Sequence, residues 1–251
     1  MLDSMKNRRS IRQYTEQDIP ETLLNELFEV ASRASNTGNM QLYSVVVNRD
    51  RANREKQAPF HFNQKMVTGA PVLLTFCADA NRFVKWAEQR KACAGFDNLQ
   101  TFLAATIDAL LFAQAFCDAA EAKGLGICYL GTTAYHADKI IEALSLPRLV
   151  VPVVSVTAGY PAEPLPAQTE RLPLAAIIHR EAYRDYTAAA IDALYKAKEE
   201  CVVNKQYVAE NQKETLAQVF TDIRYTKKNN EYFSERFLDV LKKQGFLTIP
   251  N

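Results

Sequence analysis

The stretch from residue 6 to residue 12, Lys-Asn-Arg-Arg-Ser-Ile-Arg, holds the first candidates for chemistry in this sequence. Arg8, Arg9 and Arg12 keep their charge at neutral pH, and a guanidinium matches the geometry of a phosphate or carboxylate. In a helical turn Arg8 and Arg12 would share one face, and Ser10 could cap that turn or bond the same anion. The stretch predicts an anion site, and a solvated basic N-terminus is the simpler alternative.

The histidines and cysteines of this sequence do not have the spacing of a metal site or of a disulfide framework. We expect each of the three widely separated histidines to be a packing or surface residue: His61, His136 and His179. The five cysteines include no CxxC pair, so neither a disulfide framework nor a thiolate zinc site is predicted. Three of them lie in apolar runs and are expected to be core thiols, namely Cys77, Cys117 and Cys128.

Motifs for a nucleophile or a nucleotide are also missing, since the sequence has neither a GxSxG elbow nor a Walker A loop. Gly124, Gly126 and Gly131 follow a predicted helix and precede a strand, whereas the Rossmann turn follows a strand and opens a helix. This order argues against a Rossmann domain. An enzyme that lacks its own nucleophile or metal can still work if a cofactor carries the reaction.

The composition and net charge limit the kinds of partner that this protein is expected to bind. The 251 residues are 48% hydrophobic and 24% charged, with a formal net charge of +1. This charge gives no basic field for nucleic acid, and the aromatic residues do not alternate with a basic stripe. No basic leader precedes an apolar segment, and no run reaches the ~18 apolar residues of a membrane span. We therefore expect a cytoplasmic protein without a nucleic-acid or membrane partner.

The apolar periodicity predicts alternating helices and strands in the first part of the chain. A helix follows Pro20 and ends near Ala34, and a small polar loop, residues 35–39, separates it from a strand at 42–47. Residues 48–68 are predicted to be partly helical. The apolar run 72–78 predicts a strand buried on both faces, while residues 79–97 match no pattern.

The strongest helical pattern runs from Asn98 to Lys123 and stops before Gly124. Because this helix is apolar on nearly every face, it must be surrounded, either in the core or at a subunit interface. Three polar residues within it argue against a membrane span: Asp108, Gln114 and Asp118.

Beyond this helix we predict a short strand before Gly131, a short helix over 136–144 and a strand over 149–158. Pro152 indicates an edge strand or a strand start. The last segment is helical and polar, with too few apolar residues for a core of its own. Residues 1–180 are therefore predicted to form the core and residues 181–251 an arm that packs on the core or on a second subunit.

Taken in order, several motifs resemble those of nitroreductase-family flavoproteins, in the branch similar to flavin reductase P and the oxygen-insensitive NADPH nitroreductase. Residues 8–14 resemble the family's opening Arg-Ser-(Ile/Val)-Arg-x-(Phe/Tyr) signature. The polar loop from Ser35 to Gln41 matches the loop after the family's first helix. The further matches are Phe76–Arg82, Gly124–Gly131, Gly159–Pro161, Arg171–Pro173 with His179, and Lys242–Phe246.

This resemblance implies an α+β fold, a three-layer sandwich of helices around a mostly antiparallel sheet, assembled as an intertwined homodimer with FMN at the interface. It also implies an FMN-dependent NAD(P)H oxidoreductase that reduces nitroaromatics, quinones or flavins by ping-pong, two-electron hydride transfer. NADPH or NADH would donate the hydride, and a small-molecule electron acceptor would receive it. Neither a catalytic side chain nor a metal is implied.

The resemblance assigns residues to the cofactor as well. The FMN phosphate and ribityl chain are expected at Arg8, Arg9, Ser10, Arg12 and Arg171. The polar loop is expected to reach the flavin from the other subunit through Asn36, Thr37, Gly38, Asn39 and Gln41. Gln64 is expected near the ring, where Leu130, Gly131 and Thr132 would present backbone N–H groups.

Two departures from the branch bear on binding. Thr169 stands where the branch usually has a lysine, and residues 210–214 replace an arginine-rich stretch linked to the NADPH 2′-phosphate, with only Lys213 basic. Two other functions stay open. One is a flavin-binding or storage protein on the same scaffold without catalysis, and the other is an anion-binding structural protein without flavin.

Overall fold

The computed structural model describes residues 2–248, which divide into two compact units. The first unit contains the residues up to 167 together with those from 233 onward, and the second contains residues 168–232.

A four-stranded antiparallel sheet lies in the first unit. Its strands are β1 (Tyr43–Asn48), β2 (Val72–Asp79), β3 (Gly126–Leu130) and β4 (Val150–Gly159), in the order β1-β2-β4-β3. All three pairings are antiparallel, and every residue of β2 is buried, as its run of apolar residues predicts.

Of the two alternatives predicted for Pro152, an edge strand is wrong, because β4 lies between β2 and β3, whereas Pro152 does lie near the strand start, as the third residue of β4. A proline has no backbone N–H, so it cannot donate a ladder hydrogen bond to a neighbouring strand. Here β3 pairs only with residues 155–159, so β4 has β2 as its single neighbour at Pro152. The register with β2 also shifts between Phe76 and Cys77, opposite Pro152, so that Val153 bulges out of the ladder.

Helices account for most of the remaining chain. Those up to residue 144 are α1 (Leu2–Lys6), α2 (Glu21–Ala31), α3 (Arg51–Gln57), α4 (Lys65–Gly69), α5 (Asn81–Gln89), α6 (Leu99–Ala122) and α7 (Ala137–Leu144). The later helices are α8 (Ala188–Glu200), α9 (Val202–Glu210), α10 (Leu216–Gln218) and α11 (Lys227–Lys243). The segment 79–97, which matched no sequence pattern, contains α5.

Helix α6 packs one face on the sheet and leaves another face exposed. Asn98 caps its start by accepting a hydrogen bond of 3.0 Å from the Thr101 N–H. Phe112 and Phe116 are buried in the main core, whereas four large apolar side chains are 41–56% exposed: Leu103, Ile107, Leu110 and Leu111. By length and composition α6 could cross a membrane, but 44% of its most apolar window is buried, as in a core helix.

The basic stretch at the N-terminus is not helical, so Arg8 and Arg12 do not share the face of a helical turn that their spacing would allow. Helix α1 ends at Lys6, and the following chain runs along β3, with the Ile11 N–H donating to the Ile127 carbonyl at 2.9 Å. Ile11 is buried against Gly126, where an added Cβ would lie only 2.5 Å from the Ile11 side chain. This close approach favours the extended path over a continued helix.

Candidate functional site

The arginines of the N-terminal stretch differ in their partners. The Arg8 Nε atom lies 3.6 Å from a Glu121 carboxylate oxygen at the end of α6. Burial raises the pKa of Glu121 to about 7, although the Arg8 charge lowers it. Within residues 2–248, Arg9 and Arg12 have no acidic group at ion-pair distance, and the buried Nε of Arg9 has no hydrogen-bond partner. The stretch therefore retains uncompensated positive charge.

The next part of the candidate site is β3 together with the residues that follow its end. Arg12 lies beside the Cys128 thiol on β3: burial raises the pKa of that thiol, and the Arg12 charge lowers it. Leu130 is buried at the end of the strand, and Gly131 follows it. An added Cβ at Gly131 would meet no atom within 4 Å, so the protein's own packing does not require a glycine there. Open space at a glycine is what a closely approaching ligand needs.

His61 joins the segment before α4 to the end of β3. Its Nδ1 lies 2.9 Å from the Thr132 hydroxyl, and its Nε2 is buried without a partner in the described chain. Burial, reinforced by the charge of nearby His136, lowers the pKa of His61 to about 4, so the ring is neutral at physiological pH. The Gln64 N–H donates to the His61 carbonyl at 3.2 Å, which brings Gln64 and Thr132 into one cluster.

A buried carboxylate on α6 holds the polar loop. Asp108 is 1% exposed, and one of its oxygens accepts bonds from the Thr37 N–H at 2.8 Å and the Thr37 hydroxyl at 3.0 Å. Its other oxygen accepts from the Leu42 N–H at 3.2 Å. Within the loop the Asn36 side chain accepts from the Gln41 N–H at 3.3 Å. Three hydrogen bonds to one carboxylate offset the cost of burying its charge.

Arg82 on α5 fixes the same loop from its other side. Its guanidinium donates to the Gln41 carbonyl, to the Tyr43 carbonyl at 3.2 Å and to the Ser44 hydroxyl at 3.4 Å. Sequence reasoning missed both Asp108 and Arg82 as site residues. A lone carboxylate in an apolar helix could have pointed to Asp108, whereas Arg82 is the last residue of the Phe76–Arg82 motif, to which the sequence assigned no role in the site.

The predicted residues of the first unit form two groups. Arg8, Arg9, Ser10 and Arg12 lie along β3 and belong with Gln64 and with residues 130–132. The polar loop, residues 36–41, lies instead before β1, at the opposite edge of the sheet. Three inter-strand spacings of about 4.8 Å separate the two edge strands by roughly 14 Å. The loop and the β3 cluster therefore do not meet through the sheet of one chain.

Arg171 belongs to the second unit, where its guanidinium turns back on its own loop. It donates to the Thr169 hydroxyl at 2.7 Å and to the Glu170 carbonyl at 3.1 Å. Thr169, at the position of the expected lysine, is thus a partner of Arg171. Lys213 pairs with Asp222 in the same unit at 2.9 Å.

The described histidines and thiols do not assemble a metal site. Among residues 2–248 no three His, Cys, Asp or Glu side chains are grouped so as to hold a metal ion. Cys77, Cys117 and Cys128 are buried and free, as predicted, and burial raises the pKa of each thiol. These thiols are therefore protonated at neutral pH.

Comparisons with known proteins give a consistent result. A model described as Nitroreductase family matches residues 5–160. The FMN reductase (NADPH) of Bacillus subtilis is 33% identical over 184 residues, which are 72% of this chain and 74% of that protein. The FMN reductase (NAD(P)H) of the same organism is 29% identical over 252 residues, 98% of this chain and 97% of that one. A crystal structure of a candidate oxidoreductase from Bacteroides fragilis has a TM-score of 0.96 at 57% identity and covers 98% of this chain and 100% of its own.

Proposed function

Because the chain belongs to the nitroreductase family, we propose that it is an FMN-dependent NAD(P)H oxidoreductase. The observation that carries this proposal is the cationic stretch alongside β3, where Arg9 and Arg12 have no acidic partner in the described chain. FMN, when bound, supplies the redox chemistry by taking up a hydride and passing two electrons to an acceptor. The protein binds and orients the cofactor.

Each group of residues has a distinct part in this proposal. Arg8, Arg9, Ser10 and Arg12 hold the phosphate and ribityl chain through charge-assisted hydrogen bonds, and the role that the family resemblance gives Arg171 stays a prediction. Gln64, Leu130 and Thr132 orient the ring, and the open space at Gly131 lets it approach the backbone. The buried, unpaired Nε of Arg9 and the free space at Gly131 both fit such a ligand. Neither feature is explained by packing within the chain.

We further propose that the protein is an intertwined homodimer with a three-layer core. The separation of roughly 14 Å between the edge strands leaves residues 36–41 far from the β3 cluster of the same chain. A two-fold axis would bring the loop of one subunit to the cluster of its partner. The exposed apolar face of α6 suits that contact, and residues 181–251 would form the arm that packs on core and partner.

The acceptor in this proposal is a small molecule such as a nitroaromatic, a quinone or a free flavin. We expect NADH and NADPH both to serve as donors, because Lys213, the one basic residue of the stretch 210–214, is already paired with Asp222. The proposed setting is the cytoplasm.

Steady-state kinetics test the proposed order of events. NADPH and a nitroaromatic acceptor should give parallel double-reciprocal lines, because the first product leaves before the acceptor binds at the same place. The same pattern is expected with NADH. Lines that converge would show that donor and acceptor bind together, and the ping-pong scheme would be abandoned.

A further inference from the structure

The segment that carries Gln64 begins with two residues in an unusual backbone conformation. Phe62 and Asn63 both have φ of 53°, the left-handed region that bulky side chains rarely adopt. Consecutive non-glycine residues of this kind store strain of about 1–3 kcal/mol each, and such strain concentrates at functional sites. These two residues end a short 3-10 helix, Ala58–His61, with the Phe62 N–H donating to the Pro59 carbonyl at 3.2 Å and the Asn63 N–H to the Ala58 carbonyl at 2.8 Å. The cap leaves the Phe62 side chain 52% exposed.

Phe62 belongs to a cluster of four rings. Tyr135 and Phe233 stack with centroids 4.3 Å apart, and Phe62 meets them edge-on at 6.2 Å and 6.3 Å. The His136 ring lies 5.0 Å from Phe62 and 5.9 Å from Phe233. The rings come from three separate segments of the first unit: the loop before α4, the turn before α7 and helix α11.

Hydrogen bonds fix these segments against one another. His136 Nδ1 lies 2.8 Å from the Phe60 carbonyl, which ties the strained loop to the turn before α7. Arg236 on α11 donates to both oxygens of Asp138 on α7 at 2.7 and 2.8 Å. A bidentate pair of this kind restricts rotation of both side chains. The aromatic cluster is therefore held in place before any ligand arrives.

We propose that Phe62, Tyr135 and Phe233 form a binding surface for the planar aromatic ring of the electron acceptor. This inference rests on the proposed function, because it uses Gln64 and Thr132 as residues beside the flavin. Phe62 lies two residues before Gln64, and Tyr135 three residues after Thr132. His61 Nδ1 lies 2.9 Å from the Thr132 hydroxyl and His136 Nδ1 lies 2.8 Å from the Phe60 carbonyl, so the cluster lies next to the residues that the proposed function assigns to the flavin ring. Flat rings gain from offset or edge-on contact with aromatic side chains, whereas saturated rings do not.

Ligand binding without turnover tests this proposal. FMN-loaded protein, without any nicotinamide, is titrated with 4-nitrobenzoate, and binding is followed by calorimetry and by the flavin difference spectrum. Phe62→Ala should raise the Kd about tenfold. Phe62→Leu, which keeps an apolar side chain of similar size, should raise it severalfold, and a variant that retains FMN is taken as folded.

A second ligand separates ring stacking from simple apolar contact. The wild-type preference for benzoate over cyclohexanecarboxylate should fall towards unity in Phe62→Leu. Trp86→Leu is the matched control, because Trp86 is 54% exposed on α5 and makes its ring contact with Phe83. This control should bind 4-nitrobenzoate as the wild type does.

The two proposals fail in different ways. If the wild-type protein takes up no FMN, the proposed function is wrong. If the wild type binds FMN and 4-nitrobenzoate but both Phe62 variants keep the wild-type Kd, the aromatic surface is wrong and the proposed function stands. An equal loss of affinity in Trp86→Leu would also overturn the aromatic surface, because the effect would not be specific to the cluster.

Discussion

Single residues carry the cofactor site, and Arg12 is the one whose loss is easiest to interpret. It has no acidic partner in the described chain and lies beside Cys128 on β3, so its removal breaks no ion pair. Arg12→Ala should weaken FMN binding by one to two orders of magnitude, since a hydrogen bond to a charged group contributes about 1.5–3 kcal/mol. Fluorescence titration of the FMN-free protein with FMN measures this change.

Arg51→Ala is the control for Arg12→Ala. Arg51 is an exposed arginine on α3, and its ion pair with Glu55 at 2.9 Å is of the surface type that contributes little to stability. Its replacement should leave the FMN affinity unchanged. Unaltered affinity in Arg12→Ala would return residues 8–12 to the solvated basic terminus that the sequence also allowed.

His61 supplies a prediction about pH. Its pKa is about 4 in the folded protein and 6.5 in an unfolded chain, so the unfolded chain binds an extra proton between these values. The folded state should therefore lose about 2–3 kcal/mol of stability from this residue as the pH falls from 7 to 4.5. His61→Gln can still reach Thr132 and does not titrate.

Denaturant unfolding of both proteins at pH 7, 5.5 and 4.5 measures the His61 contribution, with flavin content held equal. The difference in unfolding free energy between wild type and His61→Gln should shrink or reverse as the solution becomes acidic. The contributions of the other titrating groups to the unfolding free energy are the same in both proteins, so they cancel in this difference. A difference that is constant over the range would mean that the pKa of His61 is the same in the folded and unfolded protein.

Helix α6 carries both the carboxylate that holds the polar loop and an exposed apolar face. Asp108 points from the helix to the polar loop, and Ile107 beside it is 56% exposed on the outer face. Asp108→Asn replaces one acceptor oxygen by a donor NH2 that faces a backbone N–H. We expect FMN affinity to fall about tenfold and the amides of Thr37 and Leu42 to exchange faster, because an unsatisfied buried group costs about 1–3 kcal/mol.

Asp118→Asn is the matched control on the same helix, because among the described residues the Asp118 carboxylate accepts a bond only from the nearby Gln114 side chain, at 2.8 Å. Hydrogen exchange of the loop and FMN affinity should both be unchanged in this variant. If Asp108→Asn leaves the exchange of Thr37 and Leu42 at wild-type rates, Asp108 does not hold the loop.

The outer face of α6 gives a second test at this scale. Ile107→Glu would bury two carboxylates in a symmetric contact, so we expect the dimer to dissociate at concentrations where the wild type stays associated. Val30→Glu, at a residue that is 51% exposed on α2, is the control and should stay dimeric. Sedimentation velocity distinguishes the species. A dimeric Ile107→Glu protein would place the subunit contact elsewhere.

Most elements were predictable because their patterns are local. The apolar run of β2, the length of α6 and the glycine stop after it follow from neighbouring residues alone. The position of β4 was not predictable in this way. Pro152 is tolerated inside the sheet because β3 is short and β4 bulges at Val153 where it pairs with β2, and both facts depend on strands far away in sequence. The extended path of residues 8–12 likewise depends on Gly126.

For the whole molecule, the family is what the sequence predicted best. The ordered motifs identified it, and the match over residues 5–160 confirms it. The sequence predicted less well which residues lie close together in the folded chain. Arg82 ends the Phe76–Arg82 motif, but its hydrogen bonds to the polar loop and the sheet order that separates this loop from the β3 cluster are properties of the folded chain. The assignment of the two groups to different subunits stays a prediction.

The absorbance spectrum of the purified protein during anaerobic titration with NADPH, and separately with NADH, tests the central claim most directly. We predict a yellow protein with the two visible bands of oxidised flavin, bleached by one equivalent of either donor and restored by a nitroaromatic or a quinone. A yellow protein that neither donor bleaches would indicate flavin storage without catalysis. A colourless protein that takes up no added FMN would contradict the account altogether.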